Sequence, residues 1–175
     1  MTLTSILPSL RRSVPDPIDI DCWPELTHLT TTDVVVSGIS MLRLAELCQT
    51  PCIHTAAAVI PGTHGRPSPL AEAAVVVTSI TAIVRGVDGE RIALIDACLE
   101  HVPAVWREAR LVGRASTARP ESFRVLAARP DCAVGAAIEV PGDLRVGDLL
   151  AIPCSGMVVL RDLRESAERR EGDRS

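Results

Sequence analysis

"AAVVVTSITAIVRG", Ala73–Gly86, runs into "VDGE", Val87–Glu90, and then "RIALIDAC", Arg91–Cys98. The first stretch is rich in Val, Ile and Thr, whose branched side chains suit a pleated strand. Asp88-Gly89 supplies a hairpin turn, so the third stretch returns antiparallel. Working outward toward the C-terminus, further strands are predicted at Arg107–Gly113, Phe123–Ala128, Gly135–Val140 and Asp148–Leu160. Gly142 and Gly147 in "PGDLRVGD" separate the last two. Short strands at close intervals with Gly/Pro punctuation predict a mainly β fold. The expected architecture is an antiparallel, Greek-key-like β-barrel with one or two short helices, completed by an N-terminal strand.

Toward the N-terminus, Pro8, Pro15, Pro17 and Pro24 break up residues 1–31. An irregular arm is expected there, anchored by Trp23. "DVVVSG", Asp33–Gly38, reads as a strand ending in glycine. In "SMLRLAELCQ", Met41, Leu44, Ala45 and Cys48 share one helical face, Ser40 can cap the start, and Thr50-Pro51 stops the helix. "CIHTAAAVI" reads as extended or mixed. Pro61–Pro69, "PGTHGRPSP", holds three prolines and two glycines and is read as a connector. The expected division is an arm at 1–31, a barrel domain at 32–160 and a charged, disordered tail at 161–175.

The chain has 175 residues, 47% of them hydrophobic, enough to bury a core. Its net charge is −4, and a broad nucleic-acid surface would need a basic balance. No run reaches the ~18 apolar residues of a membrane span. "MTLTSILPSLRRS" places its apolar patch before its charges, the reverse of a secretory signal. A cytoplasmic protein without nucleic-acid or membrane partners is expected. The six cysteines (Cys22, Cys48, Cys52, Cys98, Cys132, Cys154) show no CxxC spacing. They read as reduced thiols, mostly buried. The four histidines (His28, His54, His64, His101) show no ligand spacing with them, so no metal site is expected.

Three stretches, in order, resemble one family. "VVVSGISMLRLAELCQTPCIHT" resembles the amino-terminal lead-in of diaminopimelate decarboxylases. Those and the ornithine decarboxylases are PLP-dependent enzymes of the alanine-racemase-like fold type. "VVVTSITAIVRGVDGERIALIDACLEHVPAVW" resembles the first hairpin after their catalytic barrel, and "CAVGAAIEVPGDLRVGDLLAIPCSGMV" their last strands. The likeness covers roughly residues 8–54 and 66–160. A TIM barrel of about 250 residues would lie between the first two matches, where this chain has only His54 to Pro69. The resemblance implies a free-standing β-domain with the catalytic barrel deleted.

The departures from that pattern remove its chemistry. The sequence contains no lysine, so the amine that holds PLP covalently is missing, and no cofactor is expected. The family's Arg-Pro motif stands here as Val102-Pro103, and its nearby Tyr as Trp106. Its Cys-Glu-Ser stretch becomes Cys132-Ala133-Val134, and its Ala-Gly-Ala-Tyr becomes Ser155-Gly156-Met157-Val158. Polar groups that met substrate are replaced by apolar ones, so an oily face is expected.

Two functions follow as expectations. One is a cofactor-independent cyclase or isomerase, cycloaddition included, acting on a hydrophobic biosynthetic intermediate. Orienting groups within one molecule removes much of such a barrier. Its candidate catalytic residues are Glu100, His101 and Cys132, which can move protons or polarise a carbonyl. Its candidate substrate-binding residues are Trp106, Val102, Val134, Met157 and Val158. Asp96 is read as capping the turn after its strand; His54 and His64 could line a new pocket. The alternative is a non-catalytic binding subunit, a homodimer or a chain docked on a related decarboxylase. An enclosed pocket reaching Cys132 and Glu100 favours the first. A filled barrel with an exposed Val/Leu patch favours the second.

Overall fold

A computed structural model describes residues 3–130, 132 and 135–164. The main body is one sheet of seven strands: β4 (Cys52–Val59), β5 (Pro67–Arg85), β6 (Arg91–Ile95), β7 (Arg110–Val112), β8 (Pro120–Ala127), β9 (Gly135–Pro141) and β10 (Leu149–Cys154). Their order is β7-β10-β5-β6-β8-β9, with β4 also paired to β5. The two ends of that order, β7 and β9, approach each other, and a 3-10 turn at Trp106–Glu108 packs against β9 and β10. The result is the expected mainly β, nearly closed barrel. The sheet is mixed, however: β6 and β8 are parallel, while the other pairs are antiparallel.

The strands before residue 41 do not enter this barrel. β1 (His28–Leu29), β2 (Val34–Val36) and β3 (Ile39–Ser40) make a small sheet of their own. The lead-in strand that joins the main sheet is β4, after the helix. That helix, α2 (Met41–Cys48), starts where the sequence reading placed it: the Ser40 hydroxyl accepts from the Arg43 N–H at 3.0 Å. Asp33 at the head of β2 reinforces the corner, accepting from the Ser40 hydroxyl and the Leu42 N–H. Gln49 leaves the helix at φ 62°, and the Thr50–Pro51 bond is cis.

β5 explains why its run reads as continuous rather than alternating. Ala73 to Thr78 are all buried, because both faces of this part of the sheet are covered. Ala74 and Val76 face the barrel interior with Ile80, Phe123, Ile138, Leu150 and Ile152. Val75 and Val77 face outward and are covered by Trp23, Val34, Val36, Met41 and Ala45. A strand buried on both sides loses its period-2 signature. Burying a side chain such as Val76 or Ile152 contributes about 1.5–3 kcal/mol.

A buried carboxylate is one of the ties that hold the arm to the barrel. Glu108 accepts from the Trp23 Nε1–H at 3.1 Å, the Asp19 N–H at 3.2 Å and the Arg110 guanidinium at 3.1 Å. Trp23 therefore anchors the arm as expected, with its indole donor satisfied. Within the arm lie a one-turn helix, α1 (Leu3–Ile6), and 3-10 turns at Pro8–Arg12 and Ile20–Cys22. The predicted connector at 61–69 is shorter in space: Pro67–Pro69 already belong to β5. The strand predicted at Asp148–Leu160 ends at Cys154, and α3 (Leu160–Arg164) follows. Residues 165–175 of the predicted tail lie outside the described residues.

Asp96 does not cap its own turn. Its carboxylate accepts from the hydroxyls of Thr50 and Thr78 and from the Ser79 N–H. It thereby buckles the end of β6 to β5 and to the turn after α2. Thr78 is fully buried, and a buried hydroxyl without a partner is costly. Asp96→Ala is expected to cost about 2–3 kcal/mol, read as a lowered urea midpoint with unchanged m value. An unchanged midpoint would show that water replaces the carboxylate at no cost.

Candidate functional site

The parallel pair sets up the most chemically loaded corner. β6 ends at Ile95 and β8 at Ala127, side by side in register. The chain past each end brings Cys98 and Cys132 together, with a Cα–Cα distance of 6.1 Å and a sequence separation of 34. They form a disulfide, which corrects the expectation that all six cysteines are reduced thiols. It also corrects Cys132 as a free catalytic thiol: a bonded sulfur has no thiolate to attack with and no proton to give. Spacing could not reveal this pair, because parallel strand pairing closed the distance. Both cysteines are buried and pack with Ala127. A carboxylate oxygen of Glu100 lies within 4.8 Å of both sulfurs. The Cys98 N–H donates to the Leu163 carbonyl of α3 at 3.1 Å, so this corner is tied to the C-terminal helix.

Of the predicted catalytic trio, the fold thus joins Glu100 and Cys132. His101 is exposed in the following turn and is not part of the cluster. The predicted substrate-binding residues disperse. Val102 and Val158 are buried in the barrel core, and Trp106 packs against it. Their positions follow from the chain at 103–105, which runs along β10: the Val105 N–H donates to the Pro153 carbonyl and the Ser155 N–H to the Pro103 carbonyl. Met157 is 66% exposed. Val134 lies outside the described residues. His54 sits on β4 opposite Val75, with a buried Nε2 that has no hydrogen-bond partner. His64 is in the exposed turn between β4 and β5, at φ 57°.

The remaining free thiols are poor nucleophiles where they are covered. Burial pushes Cys154 up to about 12 and Cys52 up to about 11, far from thiolate formation at neutral pH.

Among the described residues, two of the open clefts flank the barrel. The first, about 400 Å3, lies between the arm, β7 and β9, and is lined by Arg11, Arg107, Arg110 and Arg114. It is not a ready anion site, because each guanidinium already has a carboxylate. Arg11 pairs with Asp16, Arg107 with Asp19, Arg110 with Glu108, and Arg114 with Asp143 and Asp148. The second, about 410 Å3, is open and lined by Leu70 and Met157 together with Ser68, Glu72 and small residues of β4 and β5. Neither cleft is lined by Glu100, His101 or Cys132.

Leu70, the residue just past the predicted connector and not singled out in the sequence reading, is 95% exposed. It sits where β5 overhangs the sheet: β10 pairs with β5 only from Ala74 onward. That overhang leaves a strand edge open, and edges invite pairing with another chain. Here the edge is blunted. Pro67 and Pro69 have no N–H, and the Ser68 hydroxyl accepts from the N–H groups of Leu70 and Ala71. The backbone is closed to strand addition while the apolar side chains stay open. The signal for this was present as a lone Leu between prolines and an Ala-rich run.

No protein-family model matches this chain, and no curated protein matches it. Solved structures similar to parts of it include decarboxylases. The arginine decarboxylase of Paramecium bursaria Chlorella virus bound to agmatine is 15% identical over 47% of this chain and 24% of that one, with a TM-score of 0.37. A second structure of that decarboxylase is 15% identical over 51% and 28%, again at 0.37. The lysine decarboxylase from Selenomonas ruminantium is 14% identical over 51% and 25%, at 0.38. The chain spans about a quarter of the length of these structures. Among the described residues, no helix is long and apolar enough to cross a membrane.

Proposed function

We propose that this chain is a non-catalytic binding subunit, a free-standing β-domain of decarboxylase descent that pairs with a second copy of itself. The observation that carries the reading is the contrast between a filled interior and an open cleft where Leu70 and Met157 stand exposed beside Ser68 and Glu72. Phe123, Ile138, Leu150 and Ile152 occupy the space a barrel-bound substrate would need. Leu70 and Met157, by contrast, stand exposed across the same shallow surface. Exposed large apolar groups gathered on one surface mark protein contacts. The blunted β5 edge directs such contact to side chains and away from open-ended strand addition. A closed two-fold pair is the commonest assembly that uses one patch twice. The decarboxylase descent is supported by the three ordered sequence stretches; among the described residues, neither cleft reaches Glu100 and Cys132, the feature that would favour a hydrophobic-substrate cyclase or isomerase.

The test is the mass of the protein in solution by light scattering and sedimentation across a concentration series. The native chain is expected to be dimeric. Leu70→Glu with Met157→Glu is expected to weaken the dimer about 30-fold or more, corresponding to about 2 kcal/mol, with an unchanged melting profile. A native chain that stays monomeric throughout, or a dimer indifferent to both substitutions, overturns the reading. Saturable binding of an apolar small molecule by a monomeric native chain would restore the enzyme alternative.

A further inference from the structure

We propose that Cys98, Cys132 and Glu100 form a redox-gated site for Zn2+: closed as a disulfide when oxidised, and a metal site of two thiolates and one carboxylate when reduced. The site is independent of the docking surface. Two features of the fold support it. First, the three ligand atoms already lie within 4.8 Å of one another. A metal with Zn–S arms of about 2.3 Å and a Zn–O arm of about 2.1 Å holds its ligands up to about 4 Å apart. Second, reduction itself performs the required movement. Two thiol sulfurs cannot remain at bonding distance and must splay to about 3.8 Å, which is also the edge of a tetrahedron with such Zn–S arms. The Cα–Cα distance of 6.1 Å allows that splay by rotation about the Cα–Cβ bonds.

Zinc is the ion that the donor set selects. Thiolates favour soft or borderline metals and disfavour Mg2+ and Ca2+, which require oxygen cages. Burial of both cysteines raises the cost of free thiolates, and a bound dication removes that cost. The sequence spacing, one residue between Cys98 and Glu100 but 34 positions between the two cysteines, resembles no linear zinc motif. The register of β6 and β8 creates the site instead. Three protein ligands leave a fourth position open.

The chemistry balances without a hidden reactant. A small-molecule dithiol supplies two electrons and two protons to the Cys98–Cys132 bond and becomes a disulfide itself. Zn2+ then displaces the two thiol protons to solution.

The experiment titrates the full chain with zinc chloride by calorimetry, and with cobalt chloride by thiolate-to-metal absorption, before and after reduction and anaerobic removal of the reductant. One metal per chain is expected in the reduced protein, at least about 100-fold tighter than in the oxidised protein. Glu100→Gln is expected to weaken binding about 10-fold, and Cys98→Ser with Cys132→Ser to abolish it. The proposal is overturned if reduced and oxidised native protein bind alike. It is also overturned if cobalt develops no thiolate absorption, or if the double serine variant binds as the reduced protein does. The oxidised native chain is a control that needs no substitution, so poor folding of a variant leaves the comparison intact.

Discussion

Arg114→Ala is expected to destabilise the protein by about 3–5 kcal/mol, measured as the shift of a reversible urea or thermal transition. Asp148 has a side chain only 6% exposed. The Arg114 guanidinium grips it from two sides, Nε at 2.8 Å and Nη2 at 2.7 Å. The same guanidinium reaches Asp143 at 3.0 Å and the Asp143 carbonyl at 2.9 Å. It thus ties the segment after β7 to the turn before β10. Removing it leaves Asp148 buried with the Arg145 N–H at 2.9 Å and the outlying Arg145 guanidinium at 3.5 Å. An underpaired buried carboxylate costs far more than the net value of the pair. The double variant Arg114→Met, Asp148→Leu is therefore expected to be more stable than Arg114→Ala alone. Equal or greater loss in the double variant would mean that the pair itself is strongly stabilising.

The same network sets an acid limit. Burial opposes ionisation of Asp143, but the Ser116 hydroxyl and Arg114 outweigh it and hold its carboxyl below the ordinary value. Asp143 has a folded pKa below its unfolded one, so its contribution is complete above the usual carboxylate range and is lost as pH falls through the folded value. The native chain should lose stability in acid more steeply than Arg114→Ala, and the two curves should converge.

Reduction of the Cys98–Cys132 bond is the second large effect. Opening a cross-link with a 34-residue separation restores chain entropy to the unfolded state, worth about 4 kcal/mol at 25 °C in the loop-closure treatment. The staple joins the ends of the parallel pair β6–β8, whose connection passes through β7 and is long in sequence. The native chain is expected to unfold at lower urea in a dithiol reductant. The Cys98→Ser, Cys132→Ser variant should match the reduced protein and be indifferent to reductant. If reductant leaves the native midpoint unchanged, the bond is not formed in solution. Added Zn2+ should recover part of the loss in the reduced native protein and none in the variant.

How much of this was readable from residue order depends on the range of each interaction. Ser40 as a helix cap, the stop at Thr50-Pro51 and the Asp88-Gly89 hairpin are local, and each fell where its chemistry placed it. The apolar run at Ala73–Thr78 showed a buried strand, but not that two separate layers cover it. Cys132 stands in a stretch matched to a family pattern and Glu100 was named for its acid–base chemistry; they do meet. Cys98 went unweighed because its partner is 34 positions away. Val102 and Val158 read as pocket lining only while the barrel interior was unknown; packing put them in the core.

Residue order by itself determined a mainly β chain, the cap and stop of α2, the Asp88-Gly89 turn and the absence of lysine, because those depend on backbone preference and side-chain identity alone. The tertiary structure decided the parallel register of β6 and β8, the cysteine pairing it creates, and which apolar groups remain outside. Those depend on which distant strands become neighbours, a choice settled by burying the largest apolar area at once.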